Sequence, residues 1–344
     1  MRILIMTLVI FFLPIHADAA QLIELEAPKS TSCHVVEGSD FSEGLQQLLE
    51  NTLPLLDSDL LDATQVGFSV IAAVLMISLL QSVSGSVGTT ADYAGCLALC
   101  TLLLFNTGSL ISLAVQTVTE MSDYGKLLLP VMTAGLAAQG GITGSAALYG
   151  GTAVFNTLLT ALISNILVPM VYMFLALSAA NSAVGDNVLK RFRDLIKGFA
   201  SWCLKTLLIV FTTYMSITGV ISGTTDAAAL KATKVTISTM VPVVGGILSD
   251  ASEAVLVSAG IAKNAAGLYG ILAILAVFLH PFLQIGMHYL VMKATAAICG
   301  IFGTKRMTEL IGDFSAAMGL LLAMTGASCL LLLISTVCFL KGVG

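Results

Sequence analysis

Long apolar runs separated by short polar connections dominate the chain. Six of these runs approach or exceed the roughly 20 residues that a helix needs to cross a bilayer. They cover residues 65–83, 95–118, 152–183, 199–221, 268–292 and 314–340. The third contains Pro169 and is long enough to be kinked, tilted or extended beyond the bilayer. The pattern predicts an all-α fold, a polytopic membrane bundle with about six spans.

Two further apolar stretches, residues 127–151 and 236–260, are interrupted by Pro and Gly near their middles. A helix broken at membrane depth frees backbone groups that lipid cannot satisfy, so protein or a water-filled cavity must surround it. We interpret both stretches as re-entrant helical hairpins or broken spans that enter the bilayer from the outer side. The candidate pore-lining residues are Pro130, Gly140, Gly141, Pro242, Gly245, Gly246, Asp250 and Glu253.

The two acidic residues of that set allow two interpretations. Asp250 and Glu253 line a polar vestibule or ion path, or the helix ends near Gly246 and both acids lie at the water interface. Lys263 and Asn264, which follow closely, favour the interface.

The order span, broken hairpin, span occurs twice, at residues 95–183 and 199–292. Pro130-Val131 in the first hairpin has a counterpart 112 positions later in Pro242-Val243. Paired interrupted segments of this kind indicate a parallel internal repeat and a translocation or binding site. Independent convergence on Pro and Gly in membrane segments explains the match as well, and both interpretations stay open.

The start of the chain, residues 1–20, is predicted to be a signal peptide. One Arg precedes an apolar run from Ile3 to Leu13, which is too short for a stable span, and Ala17-Asp18-Ala19 supplies the small residues of a cleavage site. An uncleaved first helix is the alternative.

Residues 21–62 form an acidic leader on the extracytoplasmic side, ahead of the membrane domain at 63–344. Within the leader, apolar side chains recur at helical spacing and predict a short amphipathic helix: Phe41, Leu45, Leu48, Leu49 and Leu53. This helix either docks on a partner or on lipid, or it packs against its own protein.

Composition and charge agree with a membrane protein. Hydrophobic residues make up 57% of the chain and charged residues only 10%, against roughly 25% charged residues in soluble domains. The net charge of −5 leaves no basic face for nucleic acid. The connections at 185–198 and 293–306 hold clustered Lys and Arg, which predicts that both face the cytoplasm and that the mature N-terminus lies outside.

Candidate chemistry is sparse. His280, Gln284 and His288 are spaced by four on the fifth span, so they share one helix face and form a polar stripe that is predicted to point into protein. The stripe either relays protons or forms hydrogen bonds between helices. The sequence contains no HExxH, GxSxG, P-loop or CxxC motif. We therefore predict no enzyme activity, no catalytic residues, no metal and no cofactor.

The most specific region is residues 231–274, with the PVVGGxLSDA element at Pro242 to Ala251, followed by the His280-Pro281 span and a predicted loop FGTKRMTELIGDF at 302–314. This region resembles the stage III sporulation protein AE family of endospore-forming bacteria. The first half agrees with the family in layout, with a signal peptide, an acidic leader and clustered membrane helices.

The resemblance implies a multi-pass component of a secretion-like channel complex in the mother-cell membrane around the forespore, acting there as a permease-like core or platform. It also implies a set of partners. These are the other stage III sporulation A operon proteins, including a secretion-type ATPase and ring-forming proteins, and stage II sporulation protein Q on the forespore side. A stand-alone secondary transporter for a small solute is the alternative, with the hairpins as its gated site.

Overall fold

The computed structural model describes residues 41–83, 88–139, 142–185, 187–240 and 245–341. Within these ranges the chain is helical apart from short connections, and it forms a polytopic bundle. The helices are α1 (Phe41–Val83), α2 (Gly88–Ala138), α3 (Ile142–Leu162), α4 (Val168–Val184), α5 (Asn187–Met240), α6 (Gly245–Phe302) and α7 (Lys305–Lys341). A π-helical turn, Ile163–Leu167, joins α3 to α4.

In the described part of the chain, six helical segments are long and apolar enough to cross a membrane. They are Gly44–Ser82, Tyr93–Ala138, Gly144–Val184, Asn187–Thr218, Ala266–Phe302 and Lys305–Lys341. Each of the six predicted spans overlaps one of them. The all-α membrane bundle predicted from the apolar runs is therefore confirmed.

The stretch 127–151, interpreted from the sequence as a re-entrant hairpin or a broken span, contains the end of α2 and the start of α3, and its helix is not interrupted at Pro130. α2 continues without a break from Gly88 to Ala138 and carries Pro130 inside it. The chain turns back only beyond Gln139, where α3 follows at Ile142. Proline removes one backbone donor, and the unbroken helix keeps the other backbone groups bonded.

The first residues of the stretch 236–260 end α5 and its later residues begin α6. Residues 241–244 lie outside the described residues, so a hairpin in this stretch stays a prediction. Pro130 lies eight residues before the end of α2, and its proposed counterpart Pro242 lies outside the described residues. The internal repeat therefore stays a prediction.

The leader does not form a short helix of its own. α1 begins at Phe41 and continues through Pro54 into the first span, so the two predicted elements are one helix. Leu48 is buried, with 2% of its surface exposed, whereas Leu49 and Leu53 are exposed. The predicted signal peptide and residues 21–40 lie outside the described residues.

α7 occupies the centre of the bundle. It packs against α2, α3, α4, α5 and α6, and 19 of its 37 residues are buried. α1 packs on α6 and α2 at the periphery. The predicted loop at 302–314 shrinks to Gly303 and Thr304, because α7 already begins at Lys305. Asp313 therefore lies on a helix.

Proline and glycine shape the α3–α4 span and its end. Pro169 follows the π-helical turn, in which the Val168 N–H bonds to the Ile163 carbonyl five residues earlier. Pro169 has no backbone N–H to donate, and the hydrogen-bond register changes in the π-helical turn just before it. Gly185 ends α4 at φ 73°, the left-handed conformation that favours glycine at a helix end.

Several helices are longer than a bilayer is thick. α2 carries no charged residue from Tyr93 to Thr119, about 39 Å of helix against a hydrocarbon core of about 30 Å. Beyond Glu120 it continues to Ala138, about 27 Å further. We call residues 120–138 of α2 and 142–151 of α3 the outer projection. The basic connections 185–198 and 293–306 define what we call the inner end, which the positive-inside rule predicts to face the cytoplasm.

Candidate functional site

A polar interface between α1 and α6 is the candidate site. The stripe of His280, Gln284 and His288 on α6 faces two aspartates of α1. Nε2 of His280 lies 3.1 Å from Oδ2 of Asp59, and Nε2 of His288 lies 3.5 Å from Oδ2 of Asp62. The two histidines thus contact acidic residues that the sequence analysis placed in a separate leader. We call the five residues together the α1–α6 stripe.

The alignment of α1 with α6 brings these side chains together. Contacts advance along both helices in the same direction, from Gly44 against Leu272 to Gly67 against Val291. At the inner end, the Ser78 hydroxyl donates to the Phe302 carbonyl over 3.0 Å. A Cβ on Gly67 would lie 2.8 Å from Val291 Cγ1, so glycine permits the close approach here. The two helices are therefore parallel neighbours.

Burial differs between the two pairs. The His288 side chain is 4% exposed beside an Asp62 that is 68% exposed. In the other pair the His280 side chain is 36% exposed and the Asp59 side chain 12%. The buried Oδ2 of Asp59 has an ion-pair distance to His280 but no hydrogen-bonded partner among the described residues. A buried acceptor without a hydrogen bond costs about 1–3 kcal/mol. Oδ2 of Asp59 can therefore still accept a hydrogen bond from a donor.

The contacts of His288 place one ring nitrogen against its own helix and the other against Asp62. Nδ1 of His288 lies 3.0 Å from the Gln284 carbonyl oxygen, which can only accept a hydrogen bond. A neutral imidazole has a single N–H. When Nδ1–H donates to that carbonyl, Nε2 carries a hydrogen towards Asp62 only in the imidazolium form. The arrangement can hold α1 to α6, and it can hold a proton between them.

The other predicted site residues lie elsewhere. Pro130 is inside α2 and exposed, and Gly140, Gly141 and Pro242 fall outside the described residues. Residues Gly245, Gly246, Asp250 and Glu253 lie on the first turns of α6, and their side chains are not described. Glu253 and His280 are 27 residues apart on one helix, about 40 Å. That these residues line a pore stays a prediction.

A second polar cluster, at the inner end, escaped sequence reasoning. Arg193 of α5 is 5% exposed and pairs with Asp313 of α7 and with its own neighbour Asp194, the latter over 2.9 Å. Lys190 pairs with Glu309 over 3.0 Å. We call these five residues the inner ion network. In the sequence this network is visible as basic residues at helical spacing on α5 and acidic residues four apart on α7. The pairing between the two helices is not visible there.

Neither cluster has the composition of a metal centre. Across the described ranges, no group of three His, Cys, Asp or Glu side chains is placed to hold a metal ion. The six described cysteines, in apolar helices, are free thiols. The chemistry that the two clusters offer is proton exchange and ion pairing.

Comparisons with known proteins agree with the architecture. The family model of stage III sporulation protein AE matches residues 32–342. The stage III sporulation protein AE of Bacillus subtilis (strain 168) is 24% identical over 231 residues, which cover 67% of this chain and 57% of that relative. No solved structure matches the chain. Because the family match includes the whole described bundle up to Lys341, the chain belongs to the stage III sporulation protein AE family.

Proposed function

We propose that this protein is a non-enzymatic platform in a secretion-like channel complex that endospore formation requires, located in the mother-cell membrane around the forespore. The family is named for a stage of sporulation, and the bundle is a multi-pass membrane protein. The match to the Bacillus subtilis relative spans 57% of that protein.

The central position of α7 is the observation that carries the choice of a platform over a pore. A conduit along the axis of this bundle would have to displace α7, whose Phe314 and Phe339 are fully buried. Displacing such side chains from a close-packed interior costs several kcal/mol each. A passage formed between copies or with partners leaves that core intact. The protein therefore serves as a wall or base of the channel.

The outer projection offers a surface for the extracytoplasmic partners. Leu127 on α2 is 57% exposed and Tyr149 on α3 is 40% exposed, although both lie beyond the charged residues that end the apolar band of α2. Exposed apolar side chains outside lipid are typical of protein contact surfaces. We assign this surface to the ring-forming proteins and stage II sporulation protein Q, and the inner end to the secretion-type ATPase.

Deletion of the gene tests the role in sporulation. We expect development to stop after engulfment and heat-resistant spores to be lost, with recovery when the wild-type gene is returned at another locus. Normal spore yield from a clean deletion strain contradicts the proposal.

Substitution on the outer projection tests the platform. Leu127→Asp with Tyr149→Asp should abolish co-purification of the extracytoplasmic partners from sporulating cells. Phe105→Leu, a change at an exposed apolar site within the apolar band, is the matched control and should retain them. Equal recovery of the partners with both variants would refute docking at this surface.

A stand-alone secondary transporter is the second candidate, and the α1–α6 stripe favours it, because ionisable groups facing each other at a membrane helix interface are common in proton-coupled carriers. Proteoliposomes of the purified protein would then take up a solute in response to a proton gradient, and His288→Ala would abolish uptake. Solute uptake by the protein alone would favour the transporter over the platform. No uptake by a protein that still co-purifies with its partners would support the platform.

A further inference from the structure

A cavity of about 400 Å³ opens on the bundle surface between α5, α6 and α7, close to the inner end. Two lysines from different helices line it, Lys197 of α5 and Lys293 of α6. Hydroxyl groups of Ser201 and Tyr289 line the same space. The cavity is separate from the α1–α6 stripe and is not used by the proposed function.

The positive charge of this cavity is not neutralised by the described protein. The three acids of the inner ion network pair with Arg193 and Lys190. Within the described ranges, no carboxylate lies at ion-pair distance from Lys197 or Lys293. Lys293 Nζ instead donates to the Tyr289 hydroxyl over 3.2 Å and lies 5.4 Å from the centre of that ring. The hydrogen of the Tyr289 hydroxyl stays available to an incoming anion.

The cavity begins where α7 changes from charged to apolar. Asp313 is the last charged residue of α7 before Lys341, and Ser315 follows it on the cavity wall. From there Gly319 and Ala323 continue the wall towards the membrane centre. A Cβ on Gly319 would lie 3.3 Å from Tyr289, so glycine keeps this groove open. A charged entrance followed by a shallow apolar groove has the shape of a phospholipid.

We propose that this cavity binds an anionic glycerophospholipid of the inner leaflet. Lys197, Lys293 and the Tyr289 hydroxyl donate to its phosphate, and an acyl chain lies along Gly319 and Ala323. Basic pockets between membrane helices on the cytoplasmic side are a recognised kind of lipid headgroup site. The Ser315 hydroxyl donates to the Tyr289 carbonyl over 3.2 Å and holds α7 against α6 at the entrance.

Native mass spectrometry of the full chain, released from nanodiscs of phosphatidylglycerol and phosphatidylcholine in equal amounts, tests the site. The wild type should retain phosphatidylglycerol selectively. Lys197→Gln with Lys293→Gln should weaken retention about twenty-five-fold, since each lysine near an anionic lipid surface contributes about a factor of five. Lys205→Gln, at an exposed lysine on α5 that does not line the cavity, should behave as wild type.

Three results would overturn the proposal. They are equal retention of the two lipids, unchanged retention in the double variant, and displacement of the lipid by millimolar inorganic phosphate or glycerol phosphate, which would identify a site for soluble anions. If the double variant does not yield monodisperse protein, the two single variants and Lys197→Arg with Lys293→Arg replace it. The single variants should each lose about fivefold, and the arginine pair should retain the lipid.

Discussion

The inner ion network and the α1–α6 stripe are both built from charged side chains between helices, yet they differ in how completely the charges are satisfied. Arg193 is almost fully buried and contacts two carboxylates, those of Asp313 and Asp194. In the stripe, Asp62 is largely exposed at 3.5 Å from its histidine, and Asp59 keeps a buried oxygen without a hydrogen bond.

The difference indicates which helices can move. The network ties α5 to α7, the central helix, with a guanidinium that stays charged at all physiological pH values. The stripe ties α1, a peripheral helix, to α6 through a 3.5 Å contact and a carboxylate oxygen without a hydrogen bond. We infer that α5 and α7 stay packed together at the inner end, and that α1 separates from the bundle most easily.

Removal of the central cation should have the largest effect. Arg193→Ala leaves Asp313 buried without its partner, which costs about 3–5 kcal/mol in comparable buried pairs. We expect a clear fall in the thermal unfolding midpoint of the purified protein, followed by circular dichroism in detergent. Arg191→Ala, at an exposed arginine of the same helix, is the control. Equal midpoints for the two variants would mean that the network does not hold α5 to α7.

Replacement of both partners sharpens this result. Arg193→Met with Asp313→Leu removes the charge and its counter-charge together, and well-packed apolar pairs often equal buried ion pairs in stability. The double variant should therefore recover most of the stability lost in Arg193→Ala. Further loss would show that other groups depend on the charges themselves.

Neutralising the stripe should have a smaller and more local effect. Asp59→Asn with Asp62→Asn weakens two imperfect contacts, and we expect a loss of about 1 kcal/mol confined to α1. Hydrogen–deuterium exchange followed by mass spectrometry should show faster exchange in residues 55–70, with α7 unchanged. Uniform acceleration across all helices would contradict the view of α1 as a separately held helix.

The exposed pair of Asp123 and Lys126 is expected to contribute least to the stability of the protein. The two side chains are 2.8 Å apart and about two-thirds exposed, and such pairs contribute within about 0.5 kcal/mol. Asp123→Asn should leave the unfolding midpoint almost unchanged. A loss as large as that of the stripe variant would show that burial does not order the three sites.

The span positions were predictable because lipid imposes length and apolarity on each span separately. The ends of the helices were not. Pro130 was expected to interrupt a helix, but it lies inside a continuous one, as does Pro54, because a missing donor costs one hydrogen bond while ending a helix in a bundle exposes several. Residues 305–314, expected to be part of a loop, are likewise helical, because a helix that continues keeps its backbone groups hydrogen-bonded.

The composition of the candidate site was half predictable. Spacing by four identified His280, Gln284 and His288, since helical geometry is local. Their partners Asp59 and Asp62 are more than 200 positions away in the sequence, and only the parallel packing of α1 on α6 brings them close. Tertiary pairing of this kind leaves no periodic signal in a single sequence.

The central place of α7 separates insertion from packing during biosynthesis. α7 leaves the ribosome after the six helices that precede it, yet its side chains complete the interior that α2 to α6 share. Each earlier helix is stable across lipid by itself, so the nascent chain can be fully inserted while its interior is still filled by acyl chains. Until α7 is made, the inserted helices lack the side chains that fill their shared interior, so the packed core forms only once synthesis reaches the last helix.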